Sequence, residues 1–166
     1  MESLVTFFTS TLSGVLSSEA VTFIISMLPV LELRGGLLAA SIMRVPYIKA
    51  LIICIIGNLL PIPFVLLFIE RIVIWMEHFG PTKGIAMVFR SKVDKHRAEI
   101  EKYDFWGLTL FVGIPLPGTG AWTGSIVAGL IRMNRKKAFA SIIVGVLLAS
   151  VIMSIISYGV LGAVIH

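Results

Sequence analysis

Residues 105–137 read FWGLTLFVGIPLPGTGAWTGSIVAGLIRMNRKK, and the way this stretch meets a membrane decides the fold. Phe105 to Ile131 is uncharged over 27 residues, yet Ile114–Gly120 places two prolines and two glycines within seven positions. Proline removes a backbone donor and clashes with the preceding turn, so the run breaks into two arms of about ten residues each. A helix needs about 20 apolar residues to cross a bilayer. Neither arm can cross alone, and the stretch reads as a helical hairpin closed by the basic run Arg132 to Lys137.

The surrounding composition fits a membrane. The chain has 166 residues, 57% apolar and 14% charged, with a mean hydropathy of +1.00. Soluble domains carry roughly a quarter charged residues, so an integral membrane protein of one domain is expected. The net charge of +5 is concentrated in 83–102 and 132–137, which read as cytoplasmic loops rather than a nucleic-acid surface. Cys54 is the sole cysteine, and His78, His96 and His166 are scattered, so no disulfide, metal site or cofactor is expected. The start, Met-Glu followed by Ser and Thr, lacks a basic region, and no cleaved signal peptide is expected.

The chain also repeats itself at a shift of 88. Residues 23–60 match 111–148 at 12 of 38 positions, including Pro29/Pro117, Gly36/Gly124, Arg44/Arg132, Lys49/Lys137 and Gly57/Gly145. The first copy, 20–43, is then either one helix with an ion pair near its centre or a re-entrant hairpin whose tip is Pro29–Gly36. There 12 uncharged residues from Ala20 to Leu31 are followed by Glu32 and Arg34, then nine more uncharged ones from Gly35 to Met43. Each hairpin precedes an apolar run. Ala50 to Ile69, kinked around Pro61 and Pro63 and closed by Glu70 and Arg71, is one span; Ala138 to Ile165 is the other. Residues 1–18 read as a short helix at the interface or packed on the bundle, and whether they cross is left open. In 77–104, Phe89, Val93, Ile100 and Tyr103 fall on one helical face, with Arg90, Lys92, Asp94, Lys95 and Glu101 elsewhere. That pattern fits an amphipathic helix on the membrane or an ordinary solvated helix.

Charge chooses the topology. Residues 83–102 carry six Lys/Arg and 132–137 carry four, whereas 44–49 carry two. If all four apolar segments crossed, the two basic loops would face opposite sides, against the positive-inside rule. Two re-entrant hairpins place both in the cytoplasm. Each copy then contributes one crossing, so the copies enter the bilayer in opposite orientations, with their tips expected to meet near the midplane around a cavity. The expected fold is an all-α integral membrane protein, a single membrane domain over 1–166. It holds two inverted-topology repeats (20–76 and 105–166), each a re-entrant hairpin and a transmembrane helix, joined by the amphipathic cytoplasmic helix 77–104.

The candidate site follows from the tips. Glu32 and Arg34 are charges at membrane depth, which usually mark a substrate or proton path; a structural ion pair is the alternative. Arginine suits a phosphate or carboxylate, and a partly desolvated glutamate suits proton exchange. Gly35 and Gly36 complete the first tip. At the second, Pro117, Gly118, Thr119, Gly120, Trp122 and Thr123 offer backbone amides, hydroxyls and an aromatic face, although glycines there also serve close helix packing. Arg44 and Arg132 read as interfacial anchors, or as recruiters of lipid headgroups. Asn58 could line the cavity or bond a neighbouring helix. No catalytic grouping supports an enzyme.

The stretches Leu28–Gly36 (LPVLELRGG) and Pro115–Gly124 (PLPGTGAWTG) resemble the bacterial and archaeal small multidrug export protein family, over nearly the whole chain. The layout also resembles the DedA (VTT-domain) superfamily, whose members are implicated in returning undecaprenyl phosphate across the membrane or in scrambling phospholipids. That resemblance implies Glu32 as the acidic hairpin residue and Arg34 as a basic one. The DedA pattern has arginines around its second hairpin; here that tip is uncharged, with Arg132 beyond it. The expected function is a small secondary transporter or flippase of an amphipathic, anionic lipid-linked substrate of the polyprenyl phosphate type. The alternatives are proton-coupled multidrug export and, in another class, a non-transporting membrane-organising protein. Expected partners are membrane lipids, a lipid-phosphate or drug-like substrate and a coupling ion such as the proton, with no nucleic acid and homo-oligomerisation left open. The expected location is a prokaryotic plasma membrane, crossed more than once.

Overall fold

The computed structural model describes residues 2–12, 16–78, 80–116 and 118–160. Among these the fold is all-helical, without strands: α1 (Glu2–Leu12), α2 (Ser18–Met27), α3 (Glu32–Ile42), α4 (Tyr47–Leu59), α5 (Ile62–His78), α6 (Lys83–Gly113), α7 (Ala121–Leu130) and α8 (Arg135–Ser154). A 3-10 turn, Gly80–Thr82, precedes α6, and a π-helical turn, Ile155–Val160, follows α8. Two stretches are long and apolar enough to cross a membrane: Tyr47–His78, with a mean hydropathy of 2.6, and Arg135–Ser157, with 2.7. Only 33% and 39% of their most apolar windows are buried within the protein. Ile48, Ile52, Ile56, Phe64, Phe68 and Val151 face outward, as lipid contact requires. This is a membrane protein. The first apolar helix runs past Glu70 and Arg71 to His78, farther than the sequence reading placed its end.

The chain divides into two compact units, Met1–Pro61 with Val146–His166, and Ile62–Gly145. In the first, Ser17 caps α2, its side chain accepting from the Ala20 amide. The chain turns at Leu28–Leu31, where the Leu28 carbonyl accepts from the amides of Leu31 and Glu32 at 3.2 and 2.9 Å. α3 then folds back along α2. Lys49 Nζ stands 2.8 Å from Glu19 Oε1, so the start of α4 lies beside the start of α2. A straight helix over 20–43 would have separated these ends by roughly 35 Å at 1.5 Å per residue. α1 packs on this hairpin through Val5, which shares a buried cluster with Val21, Ile25, Leu31 and Ala39.

In the second unit α6 bends at Asp104 (φ 49°, ψ −114°), which separates the charged helix from the arm Phe105–Gly113. On the charged part Ala86, Val93 and Ile100 are buried at seven-residue spacing, while Tyr103 is exposed; the Phe89 side chain lies outside the described residues. Ala86 joins Ile69, Val73 and Met76 of α5 and Ile126 of α7 in one buried cluster, so this helix packs on its own unit.

Two matched glycine pairs let the helices close. A Cβ on Gly36 would stand 1.9 Å from Ser26 Oγ and 2.9 Å from Cys54 Sγ, and one on Gly57 would stand 3.1 Å from Ser26 Cβ. In the second copy, Cβ atoms on Gly124 and Gly145 would stand 2.6 and 2.7 Å from the Val112 side chain. In each copy both glycines close on one residue of the first arm, Ser26 in the first and Val112 in the second, although these two are not matched positions of the repeat.

Candidate functional site

Both hairpins end alike. The amides of Met43 and Val45 donate to the carbonyls of Ala39 and Ala40, both at 2.9 Å, and those of Ile131 and Met133 donate to Val127 and Ala128 at 3.0 and 2.9 Å. Arg44 (φ 55°) and Arg132 (φ 57°) occupy the left-handed position that such a helix end requires and that glycine usually fills. Arg44 is exposed. Arg132 Nε donates to Glu70 Oε1 at 2.8 Å. The matched lysines are alike too: Lys49 pairs with Glu19, and Lys137 pairs with Asp104, each acid standing at the start of the first arm of its own hairpin. Lys49 beside Glu19 holds that carboxyl below its ordinary range, chiefly through their hydrogen bond.

The tips differ. In the first unit Pro29 and Val30 are exposed at the apex, while Glu32 and Arg34 are only 6% and 7% exposed. The two charges interact electrostatically. Glu32 opens α3 in the left-handed region at φ 51°, a conformation unfavourable for a side chain with a Cβ. Gly35 and Gly36 follow, and Gly36 has the steric role described above. Asn58 of α4 is 2% exposed, and its Oδ1 has no hydrogen-bond partner among the described residues.

In the second unit Gly118 (φ 82°) and Gly120 (φ 134°) adopt backbone conformations open to glycine, and Pro117 lies outside the described residues. Thr119 Oγ1 lies 2.9 and 2.8 Å from the carbonyl oxygens of Ile114 and Leu116, so this hydroxyl is spent inside its own loop. Gly120, at the N-cap position of α7, has no side chain with which to cap it. Thr123 is buried and Trp122 half-buried just inside that helix. The structure thus gathers Glu32, Arg34, Gly35 and Gly36 at the tip of the first unit and Gly118, Thr119, Gly120, Trp122 and Thr123 at that of the second.

The described residues contain no group of three or more His, Cys, Asp or Glu that could hold a metal ion. Sequence reasoning missed the left-handed arginines and the bend at Asp104. The matched arginines directly after matched helix ends were the available signal for the former.

The model of the family described as "Putative small multi-drug export protein" matches residues 32–152. The chain belongs to this family. The match to the export family opens at Glu32, the first residue of α3, and runs through both hairpin ends into α8. No curated protein and no solved structure matches the chain.

Proposed function

We propose that the protein is a small secondary exporter of amphipathic compounds, with Glu32 and Arg34 as its polar centre and Glu32 as the exchangeable acid. The observation that carries this reading is the burial of both charges at the tip of a hairpin, in a membrane protein of an export family. Burial of a charge at membrane depth is costly and is retained where cargo or protons must be handled.

The hairpins are re-entrant in this reading, and the copies inverted, in a multi-pass protein of a prokaryotic plasma membrane. α2, α3 and α7 hold 10, 11 and 10 residues. Such helices rise about 15 Å, half of a hydrocarbon core. The Lys137–Asp104 pair joins the basic run 132–137 to the end of the charged helix. A crossing by 105–131 would instead part them by about 30 Å.

A second reading keeps the architecture and changes the cargo to an anionic lipid such as a polyprenyl phosphate. Buried Arg34 favours it, since a guanidinium matches a phosphate in a bidentate fork. The test is transport into proteoliposomes, with and without a pH gradient, of an amphipathic cation and of a short-chain polyprenyl phosphate. Glu32→Gly keeps the left-handed backbone favourable and removes the whole side chain, the carboxylate with its two methylenes. It is expected to abolish proton-coupled movement of the cation while the protein stays folded; wild-type transport by this variant sinks the assignment. Loss of polyprenyl phosphate movement in Arg34→Gln would move the case to the second cargo. If wild-type protein moves neither compound, the membrane-organising alternative replaces both.

A further inference from the structure

Within the first unit the packing fixes a register. Glu19 meets Lys49 at one end and Ser26 lies against Gly57 farther along, so α2 and α4 run in the same direction with α3 returning beside them. Across the α3–α4 seam Gly36 faces Cys54. One helical turn from that contact toward the tip, α3 carries Glu32 and α4 carries Asn58. Asn58 lies on the buried face of α4 with Ala50, Cys54 and Gly57. It is 2% exposed, and its Oδ1 is without a donor among the described residues. A buried amide oxygen left unsatisfied is destabilising, and such exceptions call for a physical cause.

The repeat bears on that cause. Glu32, Arg34 and Asn58 align with Gly120, Trp122 and Val146, so the second copy lacks all three polar groups. It nevertheless keeps the two close-packing glycines, with Val146 buried in place of the amide. The shared packing does not need an asparagine, and the amide occurs in the copy that carries the buried charges.

We infer that Asn58 is a cargo-binding residue of the Glu32 site, its side-chain oxygen accepting a hydrogen bond from an N–H group on the exported compound. This inference rests on the export reading and narrows its substrate class to amphipathic compounds with an N–H donor, amines foremost. The carboxylate of Glu32 supplies charge attraction to any cation. The amide oxygen of Asn58 supplies directional preference for one that can donate.

The test uses the full chain in lipid nanodiscs and two probes, a dansyl-labelled dodecylamine and its N-trimethyl analogue, with fluorescence anisotropy as readout and empty nanodiscs subtracted. Wild-type protein is expected to bind the amine more tightly than the trimethyl analogue. Asn58→Leu should weaken the amine about 10-fold, the value of one hydrogen bond to a charged donor, and leave the trimethyl analogue unchanged. Equal effects on both probes, or none, would overturn the inference while leaving export intact. Failure of wild-type protein to bind either probe would instead count against the export reading itself. Thermal unfolding of the same variant supplies the second readout. An unsatisfied amide replaced by leucine should leave the melting temperature unchanged or higher, whereas a clear drop would assign Asn58 a structural bond and defeat the proposal.

Discussion

At the scale of single residues, the chain twice places an arginine where the backbone favours glycine. Arg44 and Arg132 hold φ values of 55° and 57° at the ends of α3 and α7, in equivalent hydrogen-bond frames. A side chain with a Cβ pays roughly 1 kcal/mol or more in that region. Replacing Arg44, which is exposed, with glycine should therefore raise the melting temperature of the purified protein, and Arg44→Ala should not. A lower melting temperature for Arg44→Gly would mean that the guanidinium makes a contact worth more than the backbone cost. The same logic marks Glu32 (φ 51°), whose counterpart in the second copy is Gly120. The sequence carried only a faint sign of this, the matched pair Arg44/Arg132, because left-handed helix ends usually announce themselves through glycine or asparagine. The two buried charges were legible, since Glu32 and Arg34 interrupt an otherwise apolar run.

At the scale of elements, proline and glycine located the second hairpin and the repeat extended it to the first. There the tip is tighter than Pro29–Gly36, since the chain turns at Leu28–Leu31 and Gly36 lies inside α3, packed on Ser26 and Cys54. What the sequence withheld were contacts between residues far apart along the chain, because charge pairing over 30 residues leaves no periodic trace. Lys49 and Lys137 each return to an acid at the start of their own hairpin, closing its open end beside the following helix. For the first hairpin this closure has a pH dependence with a definite sign. The Glu19 carboxyl is held below its ordinary value of 4.5 by Lys49, so its contribution is fully present above that value. It fades as pH falls through the lowered value in the folded protein. Glu19→Gln should therefore show a smaller loss of melting temperature between pH 7 and pH 3 than the wild-type chain. An identical loss would mean that solvent screening leaves this exposed pair without net effect.

At the scale of the whole molecule, the question is which side of the membrane each charged segment faces, and the two topologies make opposite demands on Lys136. If 105–131 re-enters, Lys136 shares a side with Lys83, and the bond between Lys137 and Asp104 needs no rearrangement of the chain. If 105–131 crosses, Lys136 faces the side of Ile48. Cys54 is the sole native cysteine and is buried, so single cysteines can be introduced into the natural background. Ile48→Cys, Lys83→Cys and Lys136→Cys all lie at exposed positions. With a membrane-impermeant maleimide, Ile48→Cys should label in intact cells, and the other two only after permeabilisation. Labelling of Lys136→Cys in intact cells, with Lys83→Cys protected, would require a crossing by 105–131. The copies would then share one orientation, and the buried charges of the first tip would have to act without an inverted partner.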